Sequence, residues 1–566
     1  MAEMIVSIQE LKYRYRGQKE FALDGITLDL ARGEFLVIMG PSEAGKSTLA
    51  ATINGLIPHF HKGKFLGDVT VMGRNTRENS VAQMSEIVGM VFQDFEAQLF
   101  STNVELEIAF GPENFAVDRE EIGRRINENL DYVGLDAVRH RPPSTLSGGQ
   151  KQKLAIASVL ALKPSVLVMD EPTTDLDPIS KIGIFEITNR LCKRDDLTLM
   201  IIEHETEEAL FADRVAFIKD GKLVKIGPTR DMLRDVDLME SLGVMPLGIP
   251  KFFKKLGWPE LPLTPDEGIK SFQTGGWKIS EQKFQELITK EHDELSHMSR
   301  PLIQCRDLGF SYSPEVQALN GINLEIYEGE IVAIVGQNGS GKTTLAKHFN
   351  GLLLPSSGEV LVNELPTRQQ GVFILGQRVG YVFQNPDHQI FSETVFDEVA
   401  FSPRLRKLSE DEIKIRVNEA LEAVGLVGFE AEDPFALTKS GRQRVAVAAV
   451  LAAKPDVLIL DEPTTGLDYA EQRSMMNMVR SLNKQGSTII FVTHHMWVVA
   501  EYARRVFVMK DGKVILEGST RDVFSHDAEL KDAFLRPPHF VEFSNRIGHT
   551  FLNPDEMYAY IEGVQD

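Results

Sequence analysis

The chain is written twice, and that duplication limits what it can fold into more than any other feature. GEFLVIMGPSEAGKSTL (33–49) returns as GEIVAIVGQNGSGKTTL (329–345), and VGMVFQDFEAQLFSTNVELEIAF (88–110) returns as VGYVFQNPDHQIFSETVFDEVAF (379–401). KPSVLVMDEPTTDLD (163–177) returns as KPDVLILDEPTTGLD (454–468). Lys46 and Lys342 stand 296 positions apart, Glu171 and Glu462 stand 291 apart, and His204 and His494 stand 290 apart. A near-constant offset means one domain repeated in tandem with small insertions. The tails repeat as well: 246–257 returns 291 positions later as 537–548, and the LTPDE (263–267) that follows the first returns as the LNPDE (552–556) that follows the second. Each half is therefore a core with a small C-terminal extension. The predicted boundaries are a first core over 1–232, its extension and the linker over 233–300, a second core over 301–530 and a second extension over 531–566. The linker itself is assigned to 268–300, which is polar and charged.

Short apolar runs end in polar loops: FLVIMG, VLVMDEP and LMIIEH, with their partners IVAIVG, VLILDEP and TIIFVTHH. Residues apolar at every position fit strands buried on both faces. Helical stretches follow them, so the fold class is α/β with a largely parallel sheet in each half. No apolar run approaches the roughly 18 residues that span a bilayer, and the first residues lack the apolar segment of a signal peptide. The expectation is a soluble chain, to which another protein supplies any membrane-spanning part. A net charge of −21 argues against a nucleic-acid partner. Cys192 and Cys305 are the two cysteines, with no C-x-x-C, so a reducing compartment is expected without a disulfide or zinc framework.

The chemistry starts at two phosphate loops. G-x-x-x-x-G-K-[ST] stands at 40–47 and at 336–343, each after a strand and before a helix. Gly40 and Gly45, and Gly336, Gly339 and Gly341, let backbone N–H groups turn inward to cradle phosphates, and the helix N-terminus favours an anion. Lys46 and Lys342 are predicted to reach the β- and γ-phosphates, and Ser47 and Thr343 to ligate Mg²⁺. Thr48, Asn338, Ser340 and Thr344 complete the candidate nucleotide-binding loops. Glu43 stands where the second loop has Gly339, and its carboxylate is expected to face solvent. Asp170–Glu171 and Asp461–Glu462 each follow an apolar strand and precede Pro-Thr-Thr. A carboxylate next to a metal-binding carboxylate, at the C-terminal end of a strand, is placed to orient water. His204 and His494 end apolar strands at matching places. His59 and His61 are read as ordinary loop residues.

With these motifs in this order, the chain resembles the ATP-binding-cassette proteins along both cores. That resemblance implies two tandem P-loop ATP-binding-cassette domains, with ATP and Mg²⁺ as cofactors. It implies that Tyr15 and Tyr312 stack on adenine and that Gln93 and Gln384 contact Mg²⁺ or the attacking water. Asp170 and Asp461 would hold Mg²⁺, Glu171 and Glu462 would polarise water, and His204 and His494 would be the switch histidines. Asp177 and Asp468 match the D-loop, and Ser147, Gly148, Gly149 and Gln150 of LSGGQ match the signature. In the family each ATP lies between one half's phosphate loop and the other half's signature, so the two cassettes are expected to pair within the chain. The second signature departs from the pattern: Thr438, Lys439, Ser440 and Gly441 replace Ser147 to Gln150. Side chains there obstruct the close approach that glycine allows. One site, with Lys342, Glu462 and His494 facing the intact signature, is expected to be complete. The other, with Lys46, Glu171 and His204, is expected to be impaired on the signature side.

Among cassette proteins, the segments after the two glutamines, QDFEAQLFSTNVELEIAFGPEN (93–114) and QNPDHQIFSETVFDEVAFSP (384–403), resemble ATPases of energy-coupling-factor importers. This implies an ATPase at the cytoplasmic face of the cell membrane, partnered by a transmembrane coupling protein and a substrate-binding membrane subunit, with a vitamin or transition-metal substrate. The alternative is a soluble tandem cassette ATPase that acts on ribosomes. Such proteins carry a basic helical linker or an iron–sulfur cysteine cluster; this linker is mixed in charge, and two cysteines cannot hold such a cluster.

Overall fold

The computed structural model describes residues 3–174, 176, 178–192, 197–296 and 300–562. Asp177 lies outside the described residues. The chain divides into two compact units, Met1–Leu247 with Asp468–Ala470, and Gly248–Leu467 with Glu471–Asp566.

The first unit is built on a six-stranded sheet in the order Lys222–Pro228, Arg214–Lys219, Phe35–Met39, Thr198–Ile202, Val166–Asp170, Val88–Val91. All neighbours run parallel except Lys222–Pro228, which pairs antiparallel at one edge. The strands FLVIM, VLVMD and TLMII are buried at every residue, as their unbroken apolar composition requires when both faces are covered. A four-stranded antiparallel sheet, Leu23–Ala31, Met4–Tyr15, Gly63–Val71 and Arg74–Asn75, packs into the same core.

The second unit repeats this plan. Its six-stranded sheet runs Val379–Val382, Val457–Asp461, Thr488–Val492, Ile331–Gly336, Arg505–Lys510, Lys513–Ser519, again with an antiparallel last strand. Its antiparallel sheet is Val316–Tyr327, Pro301–Ser313, Ser357–Val362 and Leu365–Pro366. Cys305 is buried in that sheet. Register decides what the sheets present at their ends. Asp170 pairs with Ile202 and Asp461 with Val492. The following backbones stay bonded, Glu171 N donating to Ile202 O (3.0 Å) and Glu462 N to Val492 O (2.9 Å). Each Asp-Glu pair is thereby held beside the strand end that carries His204 or His494.

The stretch 268–300, marked as linker by its polarity, contains the end of the helix Pro265–Gly275 and the helix Glu281–Ser296. Ile269 and Phe272, then Phe284 and Leu287, fall at helical spacing, so each helix has one narrow apolar face in an otherwise charged surface. These faces share an aromatic core with Phe252 and Phe253 of Gly248–Lys255, Phe540 and Phe543 of His539–Arg546, and Phe551. Both tails of the duplication thus fold together inside the second unit. Arg521, almost fully buried, ties them to the second core: its guanidinium donates to both oxygens of Glu291 (2.9 and 3.0 Å), to Glu556 and to the Thr550 carbonyl. Among the described residues no helix is long and apolar enough to cross a membrane.

Candidate functional site

Each phosphate loop joins a buried strand to a short helix, Lys46–Ile53 or Lys342–Phe349. Gly45 and Gly341 precede these helices at φ 97° and 102°, and a Cβ on Gly341 would stand 2.8 Å from the Ala318 carbonyl oxygen. Only glycine meets that backbone and that approach without strain. Lys46 Nζ donates to the carbonyls of Gly40 (3.0 Å) and Pro41 (2.8 Å), and Lys342 Nζ to those of Gly336 (2.8 Å) and Gln337 (3.0 Å). Both ammonium groups are therefore held over their own loops, and burial lowers the Lys46 pKa from its ordinary value. Glu43 is exposed, with φ 62° where Gly339 has 81°. The hydroxyls of Tyr15 and Tyr312 meet those of Thr48 (3.1 Å) and Thr344 (3.2 Å), which sets an aromatic ring beside each loop.

The helix residue after each lysine faces the strand-end carboxylate. Ser47 Oγ donates to Asp170 Oδ1 and Thr343 Oγ1 to Asp461 Oδ1, both at 3.1 Å. Burial raises the Asp170 carboxyl to about 6 and also raises that of Asp461, while the hydroxyls oppose the rise. A hard-oxygen pair at the mouth of a phosphate loop is donor chemistry that suits Mg²⁺.

Glu171 and Glu462 occupy left-handed backbone, at φ 48° and 49°. Non-glycine residues hold that conformation at a cost of about 1–3 kcal/mol, and the cost clusters at functional sites. Glu171 accepts from Gln93 Nε2 (2.9 Å) and Thr174 Oγ1 (3.2 Å) and meets His204 Nε2 at 2.7 Å. Glu462 meets His494 Nδ1 at 3.0 Å and accepts from Thr465 Oγ1. Burial acts to raise both carboxyls, but the histidines and loop lysines outweigh it, lowering Glu171 and holding Glu462 down at about 2. An ionised carboxylate oriented by a histidine can accept a hydrogen bond from water. Gln384 is exposed, and among the described residues it forms no bond to Glu462 comparable to that of Gln93.

The two signatures keep the same helix start and differ in what stands on it. Ser147 caps Gly148–Leu160, with Gln150 bonding back to Ser147 N in a reciprocal box. Thr438 caps Lys439–Leu451 through Gly441 N (3.1 Å), and Gly441 has no side chain to reciprocate. The Lys439 ammonium lies over the backbone of Gly466. Asp468 groups with the first unit, where its carboxylate accepts from Ser42 N of the phosphate loop at 2.7 Å.

Four residues that the sequence did not single out are hydrogen-bonded to these groups. Tyr381 Oη donates to Asp461 Oδ2 at 2.6 Å. Thr174 and Thr465 bond the two glutamates. Glu203, buried beside His204, accepts from His204 N (2.9 Å) and Thr173 Oγ1 (2.8 Å). The available signal was divergence inside the repeat: Tyr381 matches Met90, and Glu203 matches Thr493.

A family model described as ABC transporter matches residues 23–174 and 319–465, and a model for an AAA domain matches 440–500. A protein of Caldanaerobacter subterraneus subsp. tengcongensis, provisionally named an ABC transporter ATP-binding protein, is 55% identical over 563 residues, 99% of each chain. A provisionally so-named protein of Methanosarcina mazei is 39% identical over 551 residues, 95% of this chain and 92% of its own. Among solved structures, cbiO1 of Clostridium perfringens, described as part of the ABC transporter complex cbiONQ, is 41% identical over 42% of this chain and 97% of its own, with a TM-score of 0.39.

Proposed function

The chain belongs to the ATP-binding-cassette transporter ATPases, and we propose that it energises an importer of the energy-coupling-factor type that takes up a vitamin or a transition-metal ion. The observation that carries this reading is an exposed aromatic pair repeated in both halves just after the Q-loop glutamine. Phe100 and Phe391, each 62% exposed, stack edge-on against Phe110 and Phe401 at 4.5 and 4.8 Å. The loops that carry them are pinned by buried acids. Glu107 accepts from Phe100 N and Ser101 N, and Glu398 from Phe391 N and Ser392 N, all between 2.7 and 3.1 Å. Apolar rings held rigidly in water suit a docking site for a membrane partner. In this reading the chain sits at the cytoplasmic face of the membrane, bound to a transmembrane coupling protein and a substrate-binding subunit.

In the proposed reaction, ATP and water give ADP and phosphate. Lys46 and Lys342, with the loop N–H groups, neutralise the phosphates, and Tyr15 and Tyr312 receive the base. Ser47, Asp170 and Gln93, and Thr343, Asp461 and Gln384, would hold Mg²⁺, which when bound neutralises charge on the phosphates. Glu171 or Glu462, oriented by His204 or His494, accepts a hydrogen bond from the attacking water and aligns its oxygen with the γ-phosphorus. The bond from that phosphorus to the ADP oxygen breaks as the new one forms. The proposed pairing sets each phosphate loop against the other half's signature. The sites are then unequal. The one completed by Ser147, Gly148, Gly149 and Gln150 turns over, and the one completed by Thr438 to Gly441 is slow. A Lys439 ammonium resting on Gly466 argues against its standing in for the missing glycines at the γ-phosphate.

The test is cysteine cross-linking in membranes from Phe100→Cys and Phe391→Cys. Capture of an integral membrane protein by both is expected. Capture of ribosomal proteins in its place refutes the importer reading.

A further inference from the structure

The two halves share one backbone frame around the strand-end aspartate but not the side chains that approach it. Tyr381 lies on Val379–Val382, which runs parallel to Val457–Asp461, and Met90 lies at the same register position on Val88–Val91 beside Val166–Asp170. Tyr381 is buried, its ring 5.0 Å from that of Phe383, and its hydroxyl is aimed along the sheet at the Asp461 oxygen that Thr343 does not hold. Met90 is buried too, but a thioether has no proton to donate, and its sulfur is met by the amide of Asn54. The duplication thus supplies its own comparison, with the same strands and carboxylate and a phenol on one side only.

We propose that Tyr381 is a positioning residue for the cation-binding carboxylate of the second half. Its hydroxyl holds Asp461 Oδ2 and leaves Oδ1 turned to Thr343 and the phosphate loop. This rests on the metal role given to Asp461 above. A carboxylate bonded only through Oδ1 can swing about its terminal torsion, which is broad for Asp. Anchoring the second oxygen removes that freedom before the cation arrives, and outer partners of this kind typically change metal affinity or activity about 10- to 100-fold. The 2.6 Å separation is that of a hydrogen bond to a charged acceptor. The anchored carboxylate belongs to the half whose lysine, glutamate and histidine are expected to face the intact signature. The asymmetry at the metal therefore runs in the same direction as the asymmetry at the signature.

The experiment uses the full chain carrying Lys46→Ala, so that nucleotide loads at the second loop. Mn²⁺ bound with a non-hydrolysable ATP analogue is titrated by electron paramagnetic resonance, and the Mg²⁺ concentration for half-maximal turnover is measured alongside. Tyr381→Phe is expected to weaken Mn²⁺ binding about tenfold or more, to raise the Mg²⁺ requirement in parallel, and to leave kcat at saturating Mg²⁺ and the KM for ATP within about twofold. Tyr381→Met, which copies the first half and keeps the bulk, is expected to do the same. Unchanged Mn²⁺ affinity in both variants, with Asp461→Asn weakening it, overturns the role of Tyr381 and leaves the metal assignment standing. If Asp461→Asn also leaves Mn²⁺ affinity unchanged, the metal assignment fails and the inference falls with it.

Discussion

Glu203 offers a sharp test of how the first half stores electrostatic cost beside its histidine. The residue is 3% exposed, and burial together with the neighbouring Glu205 raises its carboxyl to about 7, against the bonds from His204 N and Thr173 and the charge of Lys181. The ordinary value is 4.5. Between those two pH values the folded state keeps a proton that the unfolded chain has released, so stability falls as pH rises from 4.5 to 7. At about 1.36 kcal/mol per unit, the full penalty above pH 7 is about 3 kcal/mol. Glu203→Gln keeps an oxygen for His204 N and presents an N–H₂ to the Thr173 hydroxyl, but it never has to ionise. The variant is expected to match the native chain near pH 4.5 and to exceed it by about 3 kcal/mol at pH 8. Urea unfolding at both pH values, with hydrogen exchange on Thr198–Ile202 to identify the first unit, measures the difference. The second half has Thr493 at this place, a residue that does not ionise, so it has no counterpart to this contribution. A variant with the same gain at pH 4.5 and pH 8, or with none at either, refutes the reasoning, because the cost would then not be one of ionisation.

Two further outcomes follow from the structure. In the assembled complex, Glu462→Gln should lower turnover about 100- to 1,000-fold, the scale of a lost transition-state contact, while Glu171→Gln leaves a substantial fraction; equal losses in separate ATPase assays would show the second signature's departure to be silent. Arg521→Met leaves two glutamates facing an empty place, and because Glu291 and Glu556 are 28% and 20% exposed and can partly hydrate, the expected destabilisation of the second unit is about 2–4 kcal/mol in urea, below the 3–5 of a fully enclosed pair.

The duplication, the phosphate loops, the paired carboxylates and the α/β class were legible in the chain itself because each is contiguous. A glycine-rich loop between a buried strand and a helix carries its meaning within eight residues, and seeing it twice in register removes coincidence. The extension was less legible. Its helices expose most of their surface and reveal themselves only through Ile269 and Phe272, or Phe284 and Leu287, so polarity reads as linker until Phe252, Phe253, Phe540 and Phe543 are found around them. Tyr381 and Asp461 are 80 residues apart, and nothing local says that a tyrosine ahead of a glutamine faces an aspartate on the neighbouring strand. Glu203 and Glu171 read alike as acids near the ends of apolar strands. Tertiary structure alone separated them, enclosing one so that its proton is retained and setting a histidine against the other so that its charge is kept. Spacing along a chain records which groups are available, whereas desolvation and hydrogen bonding between distant strands decide their ionisation and direction.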